Sequence, residues 1–215
     1  MTADPVLVFI DESISNRYHK NVKYEIVMEA MMIILDVVLK HVYGFDDFHI
    51  NFAYPRKLSN SLLGDETLVG RDRFRYKKAV ILMGTNATGK TSLGKALLKI
   101  FGSIKEANEA ILRDLATGDN MAEFQVDFVN KGYILQRFSG SVDHDNVNIH
   151  YFTADIGETD SYEMAASKLK DRTNEVSGSF KSLRKAVGAL DYRFAYPEIE
   201  KSLRVSGIDQ KEMLK

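Results

Sequence analysis

The residues with the clearest chemistry are Gly84, Thr85, Asn86, Ala87, Thr88, Gly89, Lys90, Thr91 and Ser92, spaced as G-x-x-x-x-G-K-[ST]. Each part of that spacing has a physical reason. The glycines let the backbone curl around an anion, successive amide N–H groups point into the curl, and a following helix offers its positive end. In such a phosphate loop Lys90 reaches the β- and γ-phosphates and the Thr91 hydroxyl ligates Mg²⁺. The ligand class this chemistry points to is a nucleotide with Mg²⁺. Asp11 and Glu12, which close the apolar run Val6 to Ile10, form a second candidate group. Behind a strand, one carboxylate of such a pair can hold Mg²⁺ and the other can polarise an attacking water. In ATPases that strand follows the phosphate loop, and here it precedes it. Asp11 and Glu12 therefore read first as the solvated end of a strand, and only second as a permuted catalytic pair.

The elements that must position these residues follow from periodicity. Ala79 to Met83 is a short apolar strand entering the loop, and Leu93, Ala96, Leu97, Ile100 and Phe101 make a helical stripe leaving it. Upstream, Lys23 to Tyr43 has its polar residues Glu25, Glu29, Asp36 and Lys40 on one helical face, which predicts a largely buried helix ended by Gly44. Phe48 to Tyr54 alternates as a strand. Arg71 to Lys78 is the strongest basic stretch; Arg71, Arg73 and Arg75 share one strand face, and interleaved aromatics could stack on a base. The plainer alternative is a charged strand leading into the phosphate loop.

Downstream, Ser103 with Glu106 predicts a capping box for a second helix to about Leu115. Phe124 to Phe128, the turn Asn130-Lys131-Gly132, Tyr133 to Phe138 and Val147 to Thr153 predict an antiparallel arm. Asp143, His144 and Asp145 are metal-ligand types, but three adjacent residues do not converge on one ion. Asp160 and Glu163 predict the start of a helix containing Met164, Ala165 and Leu169, and Phe180 to Leu190 marks a further amphipathic helix. Pro197 opens a short one, and Asp209 starts another that ends at Lys215, as expected for the interior of a longer domain. The fold class expected is α/β: a P-loop NTPase core with an added antiparallel β arm and helical segments at both ends. Its divisions are a strand-helix extension over 1–45, the ATPase lobe with its arm over 46–155, and a helical region over 156–215.

Composition narrows the classes. The 215 residues are 45% hydrophobic and 27% charged, with a formal net charge of −1 and no cysteine. That excludes disulfides, thiolate zinc sites and a cysteine nucleophile, and gives no global footprint for nucleic acid. The amino terminus lacks a basic secretory start and no long uncharged apolar run occurs, so a cytoplasmic protein without a membrane span is expected. GTPase motifs fail: no Asp has Gly three residues on, and Asn130-Lys131-Gly132 continues into Tyr133.

The loop text Gly84 to Leu93, with Asn86 as its most discriminating residue, continues into Lys95-Ala96-Leu97-Leu98 and Ile100-Phe101-Gly102. It resembles the ABC-type ATPases of the SMC and RecF branch, in particular bacterial AAA-family ATPases related to the OLD nucleases and phage-abortive-infection proteins. The resemblance extends more faintly to Ile50-Asn51-Phe52 and to the arm over Phe124 to Phe138. It implies Mg-ATP bound between two head domains, hydrolysis driving dimerisation, and work in DNA metabolism or antiviral defence. The partners implied are a second head, an effector protein, and nucleic acid through Arg71 to Lys78. The family's signature, Walker B and switch residues have no match within the chain, which reads as the amino-terminal half of such an ATPase. Gln125 and Gln136 are candidates for a γ-phosphate-sensing glutamine, but both fall in predicted strands. Two other readings stand beside it: a non-hydrolytic nucleotide-binding module, and a small-molecule phosphotransferase.

Overall fold

The computed structural model describes residues 7–10, 32–54, 67–77, 79–82, 89–117, 120–130, 132–176 and 179–190. In chain order these form β1 (Leu7–Ile10), β2 (Ile33–Val42), β3 (Phe45–Asn51), β4 (Thr67–Leu68), β5 (Arg71–Arg75), β6 (Ala79–Leu82) and α1 (Lys90–Glu106). Then come α2 (Ala110–Arg113), β7 (Ala122–Val129), β8 (Ile134–Val142), β9 (Val147–Asp155), α3 (Tyr162–Ala166), β10 (Lys170–Asp171), α4 (Thr173–Val176) and α5 (Phe180–Val187). The class is mixed α/β.

An antiparallel six-stranded sheet in the order β10-β9-β8-β7-β2-β3 organises these elements. The β7-β8-β9 meander is the arm expected from the alternation of Phe124, Val126 and Phe128 with polar residues. Its second turn is fixed by Asp143, whose Oδ1 accepts from the amides of Asp145 (2.8 Å) and Asn146 (2.6 Å). That Asx-type turn is the role of the Asp143-His144-Asp145 run. Among the described residues no group of His, Cys, Asp or Glu is arranged to hold a metal ion.

Residues 33–42 form strand β2, which corrects the helix expected over Lys23 to Tyr43; residues 23–31 lie outside the described set. Ile33, Ile34, Val37, Val38 and Val42 are β-branched and favour a pleated strand. A bulge between Ile34 and Asp36 turns Ile33 and Leu35 to one face and Val37 and Leu39 to the other. A strand covered on both faces reads as continuously apolar, which periodicity does not separate from a buried helix.

Helix α1 lies on one face of the sheet. Leu93, Ala96, Leu97, Ile100, Phe101 and Ile104 meet Val37, Leu39, Phe124, Val126, Phe128 and Phe138, and α5 adds Phe180, Leu183 and Val187. Phe101 and Phe128 meet edge-on at 5.3 Å. The second helix expected from Ser103 is absent as drawn, because α1 runs unbroken through Glu106. Ser103 is fully buried and donates Oγ–H to the carbonyl of Ile100, so it caps nothing. A short α2 follows. On the opposite face Ile33, Leu35, Leu68, Phe74, Tyr76, Leu135, Tyr162 and Ala165 form a second core beneath the β4-β5 hairpin and α3. Ser161 is the N-cap of α3, its Oγ accepting from the Met164 amide, in place of the expected Asp160. Asp160 instead accepts from the Gly157 amide and from Lys168, which holds its carboxyl below the usual range.

Candidate nucleotide site

The described parts of the phosphate-loop segment are its two flanks. β6 enters it and α1 leaves it, while 83–88 lie outside the described residues. Gly89 is the N-cap of α1 with φ 85° and ψ 0°, a left-handed conformation that glycine adopts without steric cost. Its carbonyl accepts the first helical bond from the Leu93 amide at 2.9 Å. Among the described residues no side chain caps this end, and no acidic residue sits in the first turn. The start of a 17-residue helix thus keeps its partial positive charge. Lys90, Thr91 and Ser92 occupy that turn, Thr91 exposed and the other two half-buried. Buried Leu93 and Ala96 behind them anchor the turn to the core, so the sequence puts the polar residues outward.

An aromatic side chain closes one side of this turn. Phe45, first residue of β3, lays its ring on Gly89: a Cβ at Gly89 would stand 2.6 Å from Phe45 Cε1. Phe48 stacks on Phe45 at a centroid distance of 4.6 Å and an interplanar angle of 35°. Both rings are half-buried. The hairpin that delivers them turns through Tyr43 (φ 48°) and Gly44 (φ 86°), the left-handed pair that a two-residue β-hairpin needs. The sequence signal for this was Gly44 followed by an aromatic. The apolar run before it, buried on both faces of β2, masks that signal because it matches a buried helix equally well.

Asp11 and Glu12 lie outside the described residues. The strand before them, β1, pairs antiparallel with β6, with Leu7 opposite Leu82 and Ile10 opposite Ala79. The Ile10 end of β1 is therefore at the end of β6 remote from the phosphate loop. Gln136 is buried in β8 and accepts from the Tyr151 hydroxyl at 2.9 Å, and Gln125 sits mid-strand in β7 between Val38 and Ser139.

The basic stretch divides by role. Arg71 donates from Nε to the Ile156 carbonyl at 2.9 Å and stacks 3.8 Å from the centre of Tyr133, so it ties β5 to the arm. Arg73 is exposed and Arg75 half-buried on the same outer face, and Lys77 donates to the Asn51 carbonyl. Phe74 and Tyr76 are 0% and 4% exposed, so neither has a face open to a base.

Beneath the second core runs a polar array that the sequence did not single out. Asp127 is wholly buried, pairs with Arg137 through two 2.7 Å bonds, and accepts from the Tyr162 hydroxyl at 2.7 Å. Burial, with the Asp127 charge second, pushes the Tyr162 hydroxyl far above its ordinary pKa, and the bond to Asp127 raises that of Arg137. Opposite Asp127 across the strand pair is Asp36, whose Oδ1 accepts from Asn51 Nδ2 (2.9 Å) and lies 2.8 Å from His49 Nε2. Burial raises the Asp36 pKa, and His49 opposes the rise.

No protein-family model matches the chain, and no curated protein matches it in sequence. No described helix is long and apolar enough to cross a membrane.

Proposed function

We propose that the chain binds Mg-ATP through Gly84 to Ser92 and serves as the nucleotide-binding lobe of a dimer-forming ATPase of the ABC, RecF and OLD type. The observation that carries this reading is the strand-to-helix context of the motif: β6 leads in, and α1 begins at a left-handed Gly89 with no capping side chain among the described residues. Lys90 would meet the β- and γ-phosphates and Thr91 the Mg²⁺. A second head, an effector protein and a nucleic-acid backbone meeting Arg73 and Arg75 are the partners proposed, in a cytoplasmic role in DNA metabolism or antiviral defence. The test is calorimetric titration with Mg-ATP. Lys90→Ala should abolish the binding isotherm while leaving the thermal melt unchanged, and binding that survives the substitution refutes the reading.

The direction of β1 favours a second reading, a nucleotide-binding module without turnover of its own. With Ile10 opposite Ala79, β1 does not run toward the phosphate loop as a catalytic strand would. Phosphate release by the chain alone, lost in Glu12→Gln, would reject this second reading.

A further inference from the structure

We propose that β3 is a pairing edge for a second copy of this chain, so that two six-stranded sheets join antiparallel about Phe48 without nucleotide. β3 is the last strand of its sheet, and among the described residues no strand pairs with its outer edge from Phe45 to Ile50. Two bonds show which backbone groups that edge offers. The Phe52 amide turns inward to the Leu35 carbonyl at 2.7 Å, and the Asn51 carbonyl accepts from Lys77 Nζ at 3.1 Å on the outer side. Counting back by the strand's period of two, Asp47 and His49 also present their N–H and C=O outward. Past Asn51 the edge is closed, because Ala53 bridges Tyr76.

The edge selects both its partner and its register. Phe45-Asp46-Asp47-Phe48-His49-Ile50-Asn51, laid against its own reverse, places Phe48 on Phe48 and each Asp47 on the His49 of the other copy. An exposed carboxylate thus meets an exposed imidazole twice, with an aromatic pair on the two-fold axis. Asp36 already holds the His49 ring through Nε2 at 2.8 Å, leaving Nδ1 for the second carboxylate. Other registers fail. Centring the pair on Asp46 or Asp47 sets like charges face to face, and centring it on His49 or Ile50 asks for the Asn51 carbonyl that Lys77 holds. Adjacent acids ordinarily keep an edge unpaired, and here they bar every alignment except the one that faces them with His49.

Sedimentation velocity on the full chain, free of nucleotide, across roughly a hundredfold range of concentration tests this. The sedimentation coefficient should climb from monomer to dimer. Asp47→Pro removes an outward N–H at an exposed edge position, and should weaken association by roughly tenfold or more while leaving the circular dichroism of the dilute protein unchanged. The chain has no cysteine, so an introduced thiol is unique. Under oxidation Phe48→Cys should link into a covalent dimer, since facing residues of a non-hydrogen-bonded pair have Cα atoms about 4.5 Å apart. Asp46→Cys, although more exposed, should stay unlinked, its two copies lying about 13 Å apart in this register. A chain that stays monomeric throughout, or that associates only with Mg-ATP, overturns the proposal. So does a dimer that folded Asp47→Pro leaves intact, or equal linking of the two cysteine variants. Where Asp47→Pro unfolds, the two cysteine variants decide.

Discussion

Replacing Arg137 with Met tests whether the buried polar array is held together by charge. Asp127 is fully buried, so removing its partner strands a carboxylate that keeps the Tyr162 hydroxyl as a donor and has Asp36 close by. Breaking a buried pair in this way costs about 3–5 kcal/mol. The reverse substitution is milder. Arg137 is 26% exposed and can turn toward water, and Asp127→Asn keeps an acceptor, so about 1–3 kcal/mol is expected. The chain has no Trp and 10 Tyr, so urea unfolding followed by circular dichroism and tyrosine fluorescence is the assay. Equal costs for the two single variants would refute the argument.

Gly89→Ala should destabilise the start of α1, since φ 85° costs a side chain about 1–2 kcal/mol and the new methyl meets the Phe45 ring. Adding Phe45→Ala should recover the steric part but not the backbone part, as a double-mutant cycle on thermal melts would show. The raised pKa of Asp36 makes its protonated form the favoured one in the fold, so its contribution is full below the unfolded value of 3.8 and is lost as pH rises through the folded value. Asp36→Asn should remove that loss, and the urea midpoint difference from wild type should be larger at pH 7 than at pH 4. Phe101→Ala empties the contact between α1 and β7 and should cost about 3–5 kcal/mol in the same unfolding assay.

How legible each part was depended on how local its physics is. The β7-β8-β9 arm follows from alternation and turn residues, so Phe124 to Thr153 could be placed from sequence, as could the α1 stripe from Leu93 to Phe101. β2 could not, because the bulge before Asp36 buries both of its faces and erases the period that identifies a strand. The cap on α3 was misassigned by one residue, since Asp160 and Ser161 are both good caps and only the Lys168 contact separates them. The strand and helix on either side of Gly84 to Gly89, β6 and α1, were legible because each carries its own apolar pattern. Phe45, by contrast, reaches Gly89 across 43 intervening positions, and Asp127 finds Arg137 and Tyr162 only once the sheet and α3 are in register. No spacing rule encodes those meetings.

The position of β3 at the outside of the six-stranded sheet makes it a natural place for a reporter. One end of the strand carries Phe45 on the Gly89 cap, and the other carries Asn51 bonded to Asp36. Between them Asp46 and Asp47 are exposed, and the native chain contains no cysteine. A single thiol introduced as Asp47→Cys can therefore be labelled without competition, and its dye would sit two residues from Phe45. Occupancy at the helix end could then be read as a change in fluorescence at an edge strand, with every core contact left untouched.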